Sequence, residues 1–374
     1  MPKYKIGISG SYGGMNLGDE AILEVILANI RKQIDAEIVV FSRYPDDTQK
    51  RHNVRAIPIR EMHKDEVCEE LSNLDLFILG GGGILFEGMA DIFLRDVNWA
   101  KECNVPVMVF AISAGPITKP ETKKLVADTL NKVDLITVRE PDAKKTLNDI
   151  GVERPIEVTA DPALLLTPQE FSWETLLKQG MAIQENQPLV GFSVREPGGA
   201  LEDIKVKQYH EVLANAADFM VERFKAQILF IPMERHEHKD LQHSHAVISK
   251  MTNAQSAQVL KEEFSASQIL GLMTHMDFAV GMRLHFLMFA AIHAVPFVPL
   301  PYSGKVIGFL RELEMPMPPI KEINSGKLCA FLDSFWDERP AIAQKLKLNI
   351  PQLQEKAREN FAHLNHMLGS LSKR

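Results

Sequence analysis

The stretch Gly281-Met282-Arg283-Leu284-His285 joins two segments whose patterns differ, and it decides how the rest of the chain is interpreted. The short apolar run at residues 278–280 is typical of a buried strand, whereas residues 284–292 are mostly apolar over a length that favours a helix. Gly281 permits the tight turn between them. In an open α/β sheet, ligands bind where the strands end at their carboxyl termini. We therefore predict that Arg283 and His285 lie at a ligand-binding edge of such a sheet.

The residue types at this turn suit an anionic substrate. The free N–H groups at the start of a helix favour an anion, and the guanidinium of Arg283 is a permanently charged fork that fits phosphate or carboxylate. His285 can move a proton near neutral pH. An Arg-x-His pair at a turn is nevertheless more often a structural or solvated pair than a binding site, so the assignment depends on the other motifs in the chain.

The composition is that of a globular chain with room for two domains. Its 374 residues are 45% apolar and 24% charged, which is enough for two hydrophobic cores. The net charge of −7 argues against a general nucleic-acid binder. The three cysteines lack metal-binding spacing and are typical of reduced thiols in a cytoplasmic protein. We expect no signal peptide, because a strand pattern starts directly after residue 3, and no membrane-spanning helix, because no apolar run approaches ~20 residues.

Strand and helix patterns alternate in two series along the chain, with a polar break between them. Residues 167–187 lack strand signals, and the alternation stops before them and restarts after them. Strands that alternate with helices predict parallel, doubly wound sheets. Apolar residues at helical spacing in residues 351–371 predict a last helix. The predicted organisation is α/β, with a Rossmann-like domain at residues 1–170, a second at residues 185–345, and a C-terminal helix at residues 350–374 that packs back on the first domain.

The glycine-rich turn at residues 10–18 follows the first predicted strand but does not match a cofactor loop. It lacks the G-x-G-x-x-G spacing, and it continues into Asp19 and Glu20 where a phosphate loop has Lys and Ser or Thr. Paired carboxylates would repel a phosphate, so we predict instead that they cap the following helix and complement its dipole. Asn16 is a better ligand candidate, because its amide both donates and accepts hydrogen bonds.

A second glycine turn, Gly80-Gly81-Gly82-Gly83, ends another predicted strand. Four glycines permit a close approach of the backbone by a ligand or by the other domain, but the same run also fits a flexible turn. The carboxylate of Glu87 follows a few residues later, where it could face the same cleft. The sequence leaves both interpretations of the glycines open.

Cationic side chains follow four of the predicted strands. They are Arg139, Arg195, Arg283 and Lys305. Because the carboxyl ends of parallel strands meet at one edge of a sheet, several such cations predict a strongly anionic substrate. By contrast, the histidines at positions 236, 238, 243 and 245 are surrounded by carboxylates and are more typical of a solvated loop than of a metal site. The sequence alone does not decide whether this segment binds a metal.

Seven short motifs, spread in order along the chain, together resemble the polysaccharide pyruvyl transferase family. They are Asn16-Leu17-Gly18-Asp19-Glu20-Ala21, Gly80-Gly81-Gly82-Gly83, Ser113-Ala114-Gly115-Pro116, Val138-Arg139-Glu140, Ala160-Asp161-Pro162, Gly281-Met282-Arg283-Leu284-His285 and Tyr302-Ser303-Gly304-Lys305. Each motif is weakly specific, but the set spans both predicted domains. The resemblance implies a GT-B-like architecture, in which two Rossmann-like domains face each other across a cleft, with the acceptor on the first domain and the donor on the second.

The resemblance also implies a reaction. The donor would be phosphoenolpyruvate, and the acceptor a sugar of a cell-surface or cell-wall polysaccharide, often lipid-linked. The product would be a cyclic ketal of pyruvate that bridges two hydroxyls, with release of phosphate. No metal or redox cofactor is implied. We expect a cytoplasmic transferase, with a peripheral position at the inner membrane face where the acceptor is lipid-linked.

The resemblance places the chemistry at the turn Gly281-Met282-Arg283-Leu284-His285. His285 is the predicted general acid, which protonates the methylene carbon of phosphoenolpyruvate, and Arg283 acts beside it. The other predicted substrate-binding residues are Arg195 and Lys305, which would hold phosphate and carboxylate, Arg139 and Asn16, which would assist, and Glu87. Glu87 or Asp19 is the candidate that deprotonates an acceptor hydroxyl, and the sequence does not decide between them.

Two other functions fit the same architecture. A GT-B glycosyltransferase would bind a nucleotide sugar at the strand ends of the second domain. Such a site usually has a carboxylate that binds the ribose, and Glu312 and Glu314 are available for this contact. A glycan-binding module without catalysis is the other alternative, although the intact Arg283 and His285 argue against it. The sequence identifies neither the acceptor sugar, nor the hydroxyls that are bridged, nor the oligomeric state.

Overall fold

The structure, a computed structural model, describes residues 4–178, 184, 186–197, 205–236, 238–301, 303–318 and 323–371. Contacts between residues divide the chain into two compact units. Unit 1 comprises Met1–Leu166 and Leu353–Arg374, and unit 2 comprises Thr167–Gln352. The division falls at the start of the polar segment where the sequence places the domain boundary, and the end of the chain groups with the first unit.

Unit 1 is built on a parallel sheet. Its elements are β1 (Tyr4–Ser9), α1 (Leu17–Gln33), β2 (Ala36–Ser42), α2 (Pro45–His52), β3 (Arg55–Pro58), α3 (Lys64–Ser72), β4 (Leu76–Leu79), β5 (Gly82–Leu85), α4 (Ala90–Glu102), β6 (Val107–Ala114), α5 (Pro120–Leu130), β7 (Leu135–Val138), α6 (Pro141–Asp149) and β8 (Ile156–Val158). Within the described residues, the strand order is β3-β2-β1-β4-β6-β7-β8, and β5 pairs with β6 beside this path. All four side chains of β4 are buried, as expected for a parallel sheet covered on both faces.

The four-glycine run follows β4, continues into the first two residues of β5, and is closely packed within unit 1. A Cβ atom placed on Gly80 would lie 2.0 Å from Oη of Tyr12, and one placed on Gly81 would lie 3.2 Å from the carbonyl oxygen of Ala111. Gly82 has a φ of +103°, which only glycine adopts without strain. The structure therefore explains these glycines by the close approach of the unit's own residues, rather than by a flexible turn.

Unit 2 contains a second parallel sheet. Its elements are α7 (Trp173–Lys178), β9 (Leu189–Ser193), α8 (Val206–Phe224), β10 (Gln227–Phe230), α9 (Asp240–Ile248), β11 (Ala257–Val259), α10 (Ala266–Leu272), β12 (Phe278–Gly281), α11 (Leu284–Ile292), β13 (Phe297–Pro299), α12 (Gly304–Glu312), α13 (Ser325–Asp337) and α14 (Arg339–Leu371), which continues into unit 1. In the described part of the unit, the strand order is β11-β10-β9-β12-β13, with parallel pairing.

The strand predicted before the turn at Gly281 and the helix predicted after it are confirmed as β12 and α11. The helix has the predicted bounds, and Phe286, Leu287 and Phe289 are buried. Although α11 is almost wholly apolar, it has only nine residues. No helix in the segments that the structure describes combines the length and the apolar character needed to cross a bilayer.

Helix α14 runs for 33 residues and passes through Pro351 without ending. The apolar spacing predicts a start near residue 351; that boundary is wrong, because the helix begins at Arg339. The part of α14 in unit 1 is fixed by Asn360, which is fully buried. The amide oxygen of Asn360 accepts hydrogen bonds from the hydroxyls of Thr137 (2.7 Å) and Thr159 (2.8 Å). These bonds join the last helix to the ends of β7 and β8.

Candidate active site

In unit 2, two of the predicted anion-binding arginines start from the same edge of the sheet. Ser193 at the end of β9 pairs with Gly281 at the end of β12. Arg195 and Arg283 each follow these paired residues by two positions. Because the strands are parallel neighbours, both side chains enter from the carboxyl edge, where ligands bind in open α/β sheets.

His285 and Lys305 extend the same edge. His285 lies in the first turn of α11, two residues after Arg283. Lys305 lies in the first turn of α12, which follows β13, the other neighbour of β12 in the sheet. Both residues are partly exposed. The structure thus places all four predicted residues of unit 2 at adjoining strand ends.

Two carboxylates clamp the guanidinium of Arg283. Its Nε donates to both oxygens of Asp240, at 3.0 and 3.2 Å, and its Nη2 donates to Asp240 Oδ1 at 2.5 Å and to Glu234 Oε2 at 2.6 Å. Asp240 is fully buried and also accepts the backbone N–H groups of Met233 and Glu234, both at 3.1 Å. A buried guanidinium with this many bonds is held in one orientation. These hydrogen bonds therefore fix the orientation of the Arg283 guanidinium without any ligand.

Arg195 and Arg283 act on one shared carboxylate, that of Glu196. Arg195 forms an ion pair with Glu196, and Lys239 Nζ lies 3.3 Å from the same carboxylate oxygen. Although burial opposes it, the charges of Arg195, Arg283 and Lys239 lower the pKa of Glu196 to about 2. The charges of the two arginines and Lys239 consequently meet at one ionised carboxylate.

Tyr209 is a buried neighbour of Arg195 and Arg283. It is buried in the first turn of α8, where its hydroxyl contacts the sulfur of Met282. Burial raises the pKa of Tyr209, and the charges of Arg195 and Arg283 oppose this increase. Sequence reasoning missed Tyr209, Asp240, Glu234 and Glu196 as parts of this site. One signal in the sequence could have found Asp240, because it is the first residue of the helix that follows β10. The neighbouring histidines drew attention away from it.

In unit 1, the predicted Arg139 lies immediately after β7 and is almost completely buried. Its Nη1 donates to Asp161 Oδ2 at 2.6 Å, and its Nε donates to Glu140 Oε2 at 3.1 Å. Burial disfavours the charged form, but the carboxylates of Asp161 and Glu140 raise the pKa of Arg139 overall. Among the described residues, its buried Nη2 has no hydrogen-bond partner, so this nitrogen has the capacity to donate to a ligand.

A buried tyrosine shares the surroundings of Arg139. Burial, followed by the charges of Asp19, Glu20 and Asp161, raises the pKa of Tyr12 well above its ordinary value. The charge of Asp19 acts on Arg139 as well. In the described part of the chain, Tyr12 Oη is another buried polar atom without a hydrogen-bond partner. Sequence reasoning missed Tyr12, because a tyrosine in a glycine-rich turn carries no distinctive signal.

The start of α1 differs from the prediction. Asn16, predicted as a ligand residue, is the N-cap of α1, and its side-chain oxygen accepts a hydrogen bond from Gly18 N at 3.0 Å. Glu20 turns back instead, accepts the N–H of Gly13 at 2.9 Å and contacts His52 Nε2 at 2.7 Å. Asp19 and Glu20 both lie in the first turn of α1, where they complement its dipole as predicted. The prediction that Glu20 caps the helix is wrong, because a short amide at the N-cap reaches the first N–H groups more easily. The assignment of Asn16 to ligand binding stays a prediction.

Glu87 is engaged at the start of α5. Its carboxylate accepts the N–H groups of Thr118 (3.0 Å) and Lys119 (3.1 Å) and the hydroxyl of Thr122 (2.7 Å). The bond from Thr122, followed by those from the two backbone N–H groups, lowers the pKa of Glu87 to about 2. A carboxylate with so low a pKa is a weak base at neutral pH. Glu87 thus has a structural role, and its contact with substrate stays a prediction.

The histidine-rich segment does not gather around one point. Among the described residues, which exclude Glu237, no group of three or more potential metal ligands is found. His243 instead contacts His210 of α8, with Nδ1 and Nε2 2.8 Å apart. Burial, together with the charges of His243 and Lys250, lowers the pKa of His210 to about 4. Burial also lowers the pKa of His243, although Glu196 and Asp240 oppose this.

We expect this histidine pair to make unit 2 less stable as the pH falls from about 6.5 towards about 4. Above the pKa of an unfolded histidine, both states are neutral. Below it, the unfolded chain binds protons that the folded histidine pair does not, so the free energy of unfolding decreases until the folded pKa is reached. Urea unfolding at a series of pH values measures this loss. His210→Gln should reduce it, whereas His245→Gln, at an exposed position of α9, should not. A pH dependence that survives His210→Gln unchanged would contradict the assignment.

Solved structures of similar fold cover nearly the whole chain. A putative UDP-N-acetylglucosamine 2-epimerase from Listeria monocytogenes matches with a TM-score of 0.67 and 13% identity, covering 98% of this chain and 97% of that chain. A glycosyltransferase from Rickettsia africae matches with a TM-score of 0.60 and 12% identity, covering 96% and 99%. At such identities the likeness shows the fold alone. It confirms the predicted α/β, GT-B-like fold class.

Sequence comparison assigns the family. The amylovoran biosynthesis protein AmsJ of Erwinia amylovora is 18% identical over 404 aligned residues, which cover 93% of this chain and 96% of the relative. The family model described as polysaccharide pyruvyl transferase matches residues 16–304. This range includes Arg139, Arg195, Arg283 and His285, and it ends one residue before Lys305. Because the match extends over most of the chain, the protein belongs to the polysaccharide pyruvyl transferase family.

Proposed function

We propose that the protein transfers the pyruvate unit of phosphoenolpyruvate to two hydroxyls of a cell-surface polysaccharide sugar, forming a cyclic ketal and releasing phosphate. Membership of the family supports the transfer and the polysaccharide acceptor. The observation that supports the choice of donor is the placement of Arg195, Arg283 and Lys305 at adjoining strand ends of unit 2. Phosphoenolpyruvate bears a carboxylate and a phosphate on one small molecule, and several forked or point cations suit such a multiple anion.

The proposed reaction begins at the methylene carbon of the donor. His285 gives a proton to this carbon, and C2 becomes oxocarbenium-like. One sugar hydroxyl bonds to C2 and loses its proton, the C2–O bond to phosphate breaks, and the second hydroxyl bonds to C2 and loses its proton to close the ring. Arg283, Arg195 and Lys305 hold the donor's phosphate and carboxylate, and Arg139 and Asn16 assist. No oxidation state changes, and cationic side chains supply the charge, so we propose that neither a redox cofactor nor a metal is required.

The base that deprotonates the acceptor hydroxyl is assigned to Asp19 in preference to Glu87. The carboxylate of Glu87 accepts the N–H groups of Thr118 and Lys119 before α5, and its pKa is lowered to about 2. Asp19 lies close to Gly82, since a Cβ on that glycine would be 3.2 Å from Asp19 Oδ1. We place the reaction in the cytoplasm, with a peripheral position at the inner membrane face where the acceptor is lipid-linked.

A second candidate function is transfer of a sugar from a nucleotide sugar. It is favoured by the likeness of the fold to a solved glycosyltransferase. The two functions predict different donors. Thermal shift with phosphoenolpyruvate and with a panel of nucleotide sugars separates them, because only a ligand that binds the folded state raises the unfolding temperature by mass action. A chain that only binds glycans would be stabilised by neither donor.

The reaction itself is tested by incubating the protein with phosphoenolpyruvate and a panel of polysaccharide fragments. We expect release of inorganic phosphate in proportion to a mass gain of one pyruvyl ketal on a single class of glycan. In deuterated water, the ketal's methyl group should gain deuterium, because the proton added to the methylene carbon comes from solvent through His285. Transfer of a glycosyl group from a nucleotide sugar, without any pyruvyl product, would reject the proposal.

A further inference from the structure

Two arginines stand at the carboxyl ends of β2 and β3 in unit 1. Ser42, the last residue of β2, pairs with Pro58, the last residue of β3. Arg43 follows Ser42 directly, and Arg60 follows Pro58 by two residues. Both arginines are partly exposed. The parallel register therefore brings two cationic side chains to one place at the sheet edge where ligands bind in this class of fold.

Neighbouring elements lie close to both guanidinium groups. Arg60 Cζ lies 5.1 Å from the centre of the Phe93 ring, within the range of a cation–π contact. Arg43 reaches the first glycine turn, since a Cβ placed on Gly14 would lie 3.6 Å from Arg43 Nη1. Arg95 of α4 donates to the carbonyl oxygen of Ile59 at 3.3 Å. A third guanidinium thus approaches the residue that precedes Arg60.

The charges at this edge are only partly balanced. Arg95 is neutralised by the buried Asp96, with Nε and Nη2 at 3.1 and 2.9 Å from Oδ1. Within the ranges that the structure describes, neither Arg43 nor Arg60 forms an ion pair with a carboxylate. Burial lowers the pKa of Arg60, and the charges of Arg43 and Arg95 lower it further, although Asp96 and the exposed Asp91 oppose this. Two mutually repelling cations therefore remain, and an anion bound between them would relieve the repulsion.

We propose that Arg43 and Arg60 bind a phosphoryl group carried by the glycan acceptor. Two guanidinium forks on adjacent strands match the oxygens of a phosphate or diphosphate better than a single carboxylate. Tyr44, directly after Arg43, is 48% exposed and offers an aromatic face against which a sugar ring can pack. This inference rests on the proposed function in one respect, because the phosphate of the donor is assigned to the arginines of unit 2.

Direct binding tests the anion site without any turnover. The probe is inorganic pyrophosphate, titrated by calorimetry into protein saturated with phosphoenolpyruvate. For the double variant Arg43→Gln/Arg60→Gln, we expect the Kd to rise by about tenfold or more, as for the loss of charged hydrogen bonds. The matched control is Arg55→Gln, at the opposite end of β3, where Arg55 pairs with Glu70 at 2.9 Å; its Kd should stay unchanged. Equal affinity of the double variant and the parent, or displacement of pyrophosphate by phosphoenolpyruvate, would overturn the proposal.

Kinetics then distinguish the source of the phosphoryl group. The same glycan is supplied as a free sugar, as a soluble glycosyl phosphate, and as a polyprenyl diphosphate glycan in detergent micelles. In the parent, we expect both phosphorylated forms to have a lower KM than the free glycan, and the double variant should lose this preference. A further advantage of the micellar form would show that the lipid adds binding of its own. Equal KM values for all three forms in the parent would reject the site. If no glycan is pyruvylated, the proposed function fails, but the pyrophosphate titration still decides the anion site.

Discussion

Replacing His285 by Gln is expected to lower kcat by roughly 10²–10⁴ while leaving the binding of phosphoenolpyruvate almost unchanged. Gln keeps a hydrogen-bond donor in the first turn of α11 but cannot give a proton to carbon. His285 lies two residues after Arg283, in the first turn of the helix that follows the strand end. Loss of the proton donor should therefore affect the chemical step rather than the hold on the donor's phosphate and carboxylate.

Steady-state kinetics with a pyruvylated glycan and calorimetry with phosphoenolpyruvate measure the two quantities separately. His245→Gln serves as the control, because this exposed histidine belongs to the same unit and lies outside the strand ends. A His285→Gln protein that turns over near the parent rate would show that His285 is a bystander. A protein that instead loses donor affinity would show that His285 is a ligand and that another group supplies the proton.

Arg283→Gln should lower the free energy of unfolding by about 3–5 kcal/mol, because it leaves two carboxylates without their cation. Asp240 is fully buried and Glu234 largely so, and both depend on the guanidinium of Arg283. The double variant Arg283→Gln/Asp240→Asn should recover part of this loss, since a neutral amide no longer needs a charged partner. Urea unfolding measures both changes.

Donor binding separates the structural role of Arg283 from its role toward ligand. We expect phosphoenolpyruvate to bind weakly to both the single and the double variant, although the double variant is more stable. Arg223→Gln is the matched control: Arg223 pairs with the exposed Asp333 at 3.2 Å, and an exposed pair contributes no more than ~1 kcal/mol. Recovery of parental affinity in the double variant would mean that Arg283 only neutralises Asp240 and does not touch the donor.

The local pattern of the sequence determined where the strand ends lie and which cations stand on them. The apolar runs and the glycine between them are all encoded within residues 278–292, so α11 could be predicted with its bounds and β12 to within one residue at its end. The parallel-sheet rule then sufficed to expect Arg195 and Arg283 at one edge, because it depends on strand order and not on the details of packing.

The sequence did not determine which polar groups these side chains meet. Asp240 lies 43 residues before Arg283, and Asn360 lies more than 200 residues after Thr137. No local pattern records such partners, because each is selected by the desolvation of a group that some distant segment buries. The same reason explains why Glu87, predicted at a ligand site, is engaged by the start of α5.

Chain order and residue type thus determined the fold class, the family motifs and the cationic strand ends of this protein. Tertiary structure alone decided that Arg283 is clamped, that Asn16 caps α1, that the glycines of the second turn accommodate Tyr12 and the backbone of β6, and that Arg43 and Arg60 lack carboxylate partners within the described residues. The physical reason is that a helix or strand forms from the preferences of neighbouring residues, whereas the state of a buried charge depends on every segment packed around it.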